Sequence, residues 1–122
     1  MVQFQRENFP DLIEEMKPLT ERHFQEVEVY QDIPLDVDWD RYCEMHEVGA
    51  FRVYTARDAG RLVGYAGFIV CHNLHCKSSL QACQDILYIA KEHRNKGIGK
   101  RFVEWCDAML AHEGVQVVMQ HT

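Results

Sequence analysis

The sequence predicts an α/β (α+β) domain in which a mixed, mostly antiparallel sheet is flanked by helices. Three observations carry this. Apolar residues recur at helical spacing through the first half of the chain and switch to strand-like alternation at Phe51. Two alternating runs then flank the turn signal "RDAGR", which marks a β-hairpin and hence an antiparallel pair. Finally, Leu80 to Gln120 reads strand, helix, strand, which places two neighbouring strands about a right-handed crossover.

Taken in order, "PDLIEEMK" opens a helix with Pro10 at a tolerated first-turn position and acids near the positive helix end. A second helix is expected over Thr20–Tyr30, with Phe24, Val27 and Tyr30 on one stripe. "DIPLDVD" breaks it, because Pro34 lacks a donor and restricts Ile33. Trp39–Val48 forms a third short helix closed by Gly49. "FRVYTA" and "LVGYAGFIVC" are the hairpin strands, and "HNLHCKSS" is a loop. "LQACQDILYIA" ends apolar enough to be a buried central strand. From Gly97 onward, Ile98, Phe102, Cys106, Met109 and Leu110 keep helical spacing, Gly114 ends that helix, and "VQVVMQ" is the last strand.

Composition narrows the function. The chain has 122 residues, a length suited to one domain with a real core. It is 47% hydrophobic and 26% charged, which argues against disorder. A net charge of −6 leaves no broad positive surface for nucleic acid and favours a cationic partner. No apolar run is long enough to span a membrane, and the N-terminal residues lack the apolar core of a secretory signal. Five cysteines without such a signal are expected to be free thiols in a reducing cytoplasm.

Against this acidic background, "EHRNKGIGKRF" gathers glycines and basic residues where the Leu80–Ala90 strand gives way to a helix. Glycine lets backbone approach a ligand, and helix N-terminal amides with the macrodipole attract anions. Lys96, Lys100 and Arg101 add positive charge, so the stretch suits a phosphate cradle. A dinucleotide fingerprint would need glycine at Phe102, and a Walker motif would need glycine at Arg94 and a hydroxyl residue at Arg101. Neither fits.

"RNKGIG", Arg94 to Gly99, resembles the R/Q-x-x-G-x-G/A signature of the GNAT superfamily of N-acetyltransferases. The strand end "ILYIA" before it, the amphipathic helix after it, the "GRLVGYAGF" hairpin and "EGVQVVMQ" resemble that family's arrangement over residues 50–121. The chain is also similar to small GNAT proteins encoded by tailed phages. The resemblance implies that acetyl-CoA is the acyl donor, with its pyrophosphate held by the backbone amides of Arg94, Asn95, Lys96, Gly97, Ile98, Gly99 and Lys100. It implies that Leu87, Tyr88 and Ile89 pair with the pantetheine arm, one amide facing the thioester carbonyl. The acceptor amine must lose a proton before it can attack, and the family commonly uses an acid on this strand. Asp85 is the acid present, as base or as acceptor-binding group, and strand alternation puts Cys83, Asp85, Leu87 and Ile89 on one face. Tyr88 could orient substrate through its hydroxyl or pack as a buried aromatic. His72, His75 and His93 are weaker proton acceptors.

Family members usually continue into another helix and two more strands, the helix often carrying the tyrosine that protonates the departing thiolate. This sequence stops at Thr122. The expectation is therefore a single GNAT-like domain over residues 1–122, without those elements, that is a C-terminally truncated form, is completed by another chain or is reduced, its last strand an open edge available to a second copy as a homodimer. Two functions follow. One is acetyl transfer to a small-molecule or protein amine. The other is a non-catalytic acyl-CoA-binding or protein-interaction module. "CHNLHC" does not follow a standard zinc spacing, and no metal is expected. "DIPLDVDWD", with Asp36 and Asp38, is expected to form an acidic lip beside the acceptor cleft.

Overall fold

A computed structural model describes residues 1–27 and 33–120. The elements run β1 (Val2–Glu7), α1 (Phe9–Val27), α2 (Trp39–Glu47), β2 (Phe51–Asp58), β3 (Arg61–His72), β4 (Leu80–Ile89), α3 (Ile98–His112) and β5 (Val115–Met119), with a 3-10 turn at Lys91–His93 before α3. The strands form one sheet in the order β1-β2-β3-β4-β5. The first three pairings are antiparallel and β4–β5 is parallel, so the hairpin and the crossover unit both stand where the periodicity put them.

Each face of the sheet carries its own core. On one, Phe9, Leu12, Met16 and Leu19 of α1 pack with Phe51, Val53, Leu62, Tyr65 and Tyr88, and α2 adds Tyr42 and Met45. On the other, Phe102, Cys106 and Leu110 of α3 pack with Tyr54, Ala66, Phe68, Val70, Ala82 and Val115. All five cysteines are free thiols.

Three sequence expectations are corrected. The chain begins with a strand, not a helix. β1 pairs along β2 from Val2↔Asp58 to Glu7↔Val53. Its apolar content is slight, but Phe4 sets its ring 5.0 Å from Phe102, which is burial enough for an edge strand.

The two expected N-terminal helices are one. α1 runs through Pro18, and its buried residues Phe9, Leu12, Met16, Leu19 and Thr20 lie on both sides of that proline. Packing of this continuous stripe on the sheet outweighs the roughly 3 kcal/mol that an interior proline costs a helix. The expected extension of the helix to Tyr30 falls outside the described residues.

The third correction concerns β4. Its register on β3 jumps from Gly67↔Ile86 to Phe68↔Gln84, which leaves Asp85 opposite no partner. This is a β-bulge, and it breaks the alternation on which a shared face for Asp85, Leu87 and Ile89 depended. Asp85 instead reaches Tyr42 on the α1/α2 face. Leu87 and Ile89 pack with the α3 cluster on the other.

Candidate active site

The loop between β4 and α3 is shaped by its glycines and one asparagine. Asn95 and Gly97 hold φ of 65° and 72°, the left-handed region that Asn tolerates and Gly adopts freely. Gly97 caps α3, and the Ile98 side chain in its first turn is buried. The loop backbone is thereby fixed while its polar groups stay outward. The N–H groups of Asn95, Lys96, Gly97, Ile98, Gly99 and Lys100 find no acceptor among the described residues, whereas Arg101 N–H already bonds Gly97 C=O at 3.2 Å. A Cβ built on Gly97 or Gly99 meets no heavy atom within 4 Å, so neither glycine is there to relieve crowding inside the protein. What the missing side chains leave open is a run of unengaged N–H groups at a helix N-terminus, with Lys96, Lys100 and Arg101 exposed around it.

A strand edge without a partner among the described residues leads away from this cradle. β5 pairs with β4 from Leu80 to Cys83, and no described residue pairs with that side of β4 beyond Cys83. Ala90 N–H donates to Val63 C=O of β3 at 2.8 Å. Because main-chain groups alternate sides along a strand, Leu87 and Ile89 aim theirs at the open edge, while Tyr88 spends its own on β3 opposite Tyr65. One of the open groups is partly used: Arg94 Nε donates to Ile89 C=O at 2.8 Å. The same guanidinium bonds Glu26 of α1 at 2.6 Å and lies 5.4 Å from the centre of the Tyr88 ring. It thus ties the loop to the end of α1 and, through that bond, holds the Glu26 carboxyl below the usual carboxylate range.

Two cavities line this edge. One, of ≈ 430 Å³, is walled by His23 and Glu26 of α1, by Leu87 to Ile89, and by Arg94, Asn95 and Gly99 of the loop. The other, of ≈ 690 Å³, is walled by Thr20, His23, Phe24 and Leu35 and by β4 from Gln84 to Leu87. His23, Val27 and Leu87 border both, so the two adjoin between the N–H cradle and Asp85.

The remaining sequence candidates lie as follows. Asp85 is exposed in the bulge and accepts a 2.6 Å hydrogen bond from Tyr42 Oη. Burial, then this bond, raises the Tyr42 phenol above its ordinary range, so it stays a donor at any physiological pH. Tyr88 is 3% exposed, and its hydroxyl is buried with no partner among the described residues. Its ring stacks on His23 with centroids 4.9 Å apart. His93 turns away to Asp58, 3.1 Å from its carboxylate. His72 sits opposite Leu80, at the far end of β4 from the loop. In "CHNLHC", the Asn73 side chain accepts from the His75 and Cys76 amides and makes a turn. No three His, Cys, Asp or Glu side chains converge on a point among the described residues. Of the expected acidic lip, Asp38 caps α2 by accepting from Arg41 N–H at 3.0 Å, and Asp36 borders separate clefts beside Lys17 and Trp39. From that segment it is Leu35 that reaches the groove.

Sequence reasoning missed the α1 wall and Tyr42. The signal for His23 was present, since the spacing Phe9, Leu12, Met16, Leu19, His23 continues one helical stripe. Reading two helices instead of one hid it.

The chain matches no curated protein significantly. Among solved structures it is similar to a ribosomal-protein-alanine N-acetyltransferase from Brucella melitensis biovar Abortus 2308, with TM-score 0.74 and 20% identity over 100% of this chain and 80% of that one. It is similar to an aminoglycoside acetyltransferase from an uncultured soil metagenomic sample in complex with sisomicin, with TM-score 0.78 and 17% identity over 99% and 77%. A predicted acetyltransferase with acetyl-CoA from Clostridium acetobutylicum matches with TM-score 0.78 and 11% identity over 100% and 81%. At these identities the likeness establishes the fold. No described helix is long and apolar enough to cross a membrane. The model of the acetyltransferase (GNAT) domain family matches residues 49–122, more than half of the sequence, and the chain belongs to that family.

Proposed function

We propose that the protein moves an acetyl group from acetyl-CoA to a primary amine. The observation that carries this is a succession along adjoining cavities: a glycine-opened row of N–H donors, then the edge of β4 that no described residue pairs, then Asp85. The residues present fit the donor. The N–H groups of Asn95 to Lys100 would hold its diphosphate, and Lys96 and Lys100 would add charge. The outward main-chain groups of Leu87 and Ile89 suit its extended amide arm, and Arg94 would have to yield the Ile89 carbonyl for the second of these. When bound there, acetyl-CoA supplies an activated acyl group. Asp85, oriented by Tyr42, holds the cationic amine. The net charge of −6 favours such an acceptor, of which an aminoglycoside, a polyamine and a peptide N-terminus are three kinds.

Isothermal titration with acetyl-CoA, followed by a transfer assay on sisomicin, spermidine and a peptide with a free N-terminal alanine, tests this reading. Acetyl-CoA should bind, and at least one amine should be acetylated. Tyr42→Phe should raise the acceptor KM several-fold and leave acetyl-CoA affinity unchanged. A folded protein that binds no acetyl-CoA would refute the reading. The alternative of a binding or interaction module without catalysis draws support from Arg94, whose guanidinium occupies part of the open edge. Binding without transfer to any amine would favour it.

A further inference from the structure

Asp85 can hold an ammonium group, but an ammonium group has no lone pair with which to attack. Some group in the groove must take its proton. For side chains in water, an imidazole accepts an ammonium proton with an equilibrium about 400-fold more favourable than a carboxylate does.

We propose that His23 of α1 is this proton acceptor, working where the cradle cavity meets the Asp85 cavity. The proposal rests on the acetyltransferase reading above. His23 is the histidine that borders both cavities. Its ring stacks on Tyr88 at 4.9 Å and 24°, which fixes the imidazole plane against the core. Its ring nitrogens have no hydrogen-bond partner among the described residues, in contrast to His46 and His93, which are bonded to Asn8 and Asp58. The charged and titratable groups around it are Glu26 on its own helix, Arg94 from the loop, Tyr88 beneath it and Asp85 in the same cavity wall. Burial lowers the imidazole below its ordinary range, Glu26 opposes this and Arg94 adds to it. An imidazole lowered in this way, its nitrogens unengaged by the described residues, is suited to take a proton.

His23 takes one proton from the ammonium bound at Asp85 and becomes imidazolium. The freed nitrogen lone pair forms the N–C bond to the acetyl carbon. The C–S bond breaks with its electron pair on sulfur, the amine's second proton ends on that sulfur, and the amide keeps the third. His23 then returns its proton to solvent.

The test uses the full chain with His23→Gln and His23→Ala, acetyl-CoA, and whichever of the three probe amines is acetylated. His23→Gln should lower kcat about 100-fold. It should keep the acetyl-CoA Kd within about twofold and remove the acidic limb from the pH profile of kcat/KM. Added imidazole should restore part of the rate to His23→Ala. In the free protein, an NMR titration should find the His23 ring neutral at pH 7. A His23→Gln variant that keeps its kcat and its acidic limb overturns the proposal alone, as does a ring found charged at pH 7. A wild-type protein that binds no acetyl-CoA overturns this proposal together with the reading on which it rests.

Discussion

Gly99 separates ligand binding from folding more cleanly than any other position in the loop. It is the second residue of α3, its φ lies outside the left-handed region, and a Cβ there would meet nothing within 4 Å. A side chain can therefore branch from this position without backbone strain or a Cβ clash in the ligand-free protein. A leucine also replaces the poorest ordinary helix former with a good one, a gain of about 0.8 kcal/mol, or a rise of about 3–5 °C in Tm for a domain of this size. The same side chain would stand where an anion has to approach the N–H row. Each lost charge-assisted hydrogen bond removes about 1.5–3 kcal/mol. Losing two would weaken acetyl-CoA binding by roughly a hundredfold to ten-thousandfold. Gly97→Ala gives the opposite pattern. At φ of 72° its Cβ costs about 1 kcal/mol of stability, while the methyl group itself is small. Scanning fluorimetry without ligand and calorimetry with acetyl-CoA measure the two effects. A Gly99→Leu variant that is more stable and still binds acetyl-CoA within threefold of wild type would refute the cradle.

Two further predictions concern the scaffold. Burial alone would raise the Glu7 carboxyl, but bonds from Arg57, Gln5 and Thr55 outweigh it and hold it down to about 2 from its ordinary 4.5. The stability this contributes is present above pH 4.5 and is lost as pH falls toward 2. After allowance for solvent screening it amounts to about 1–2 kcal/mol. Glu7→Gln should therefore lower the urea midpoint at pH 7 and flatten its dependence between pH 5 and pH 3; an unchanged midpoint at pH 7 would contradict the role of the Glu7–Arg57 pair. Asp38→Ala should cost about 1 kcal/mol by removing the α2 cap, whereas Asp38→Ser, which can still cap, should be close to neutral. Chemical denaturation distinguishes the two, and equal losses would mean that the cap is not the reason.

The parts of the fold that local pattern encodes were legible in the sequence. The Phe51 switch to alternation, the "RDAGR" turn and the Ile98–Leu110 stripe each belong to a single element, so their spacing alone locates them. β1 was not legible because Phe4 gains its partners, Phe102 and Trp105, from the other end of the chain. The phosphate-like loop was readable because it combines a backbone requirement, two glycines, with a charge requirement. The acceptor end of the groove was not, since it assembles side chains from α1, α2 and β4 that only tertiary packing brings together. His23 is an intermediate case. Its spacing was visible, but Pro18 invited a break in the helix that packing on the sheet overrides.

The unpaired Asp85 has a meaning for how this chain can change. Leu80 and Ala82 share the α3 face with Leu87 and Ile89, so odd and even positions exchange sides at residue 85. Removing that one residue would restore strict parity along β4, and only half of the strand could then stay in phase with its core. Either Tyr88 would leave the α1 side, taking the platform beneath His23 with it, or Ala82 would leave the α3 side. Substitutions at Asp85 are therefore expected to alter chemistry and spare the fold, whereas a one-residue deletion there should not be tolerated. The codon count of this strand carries information that the identity of its amino acids does not.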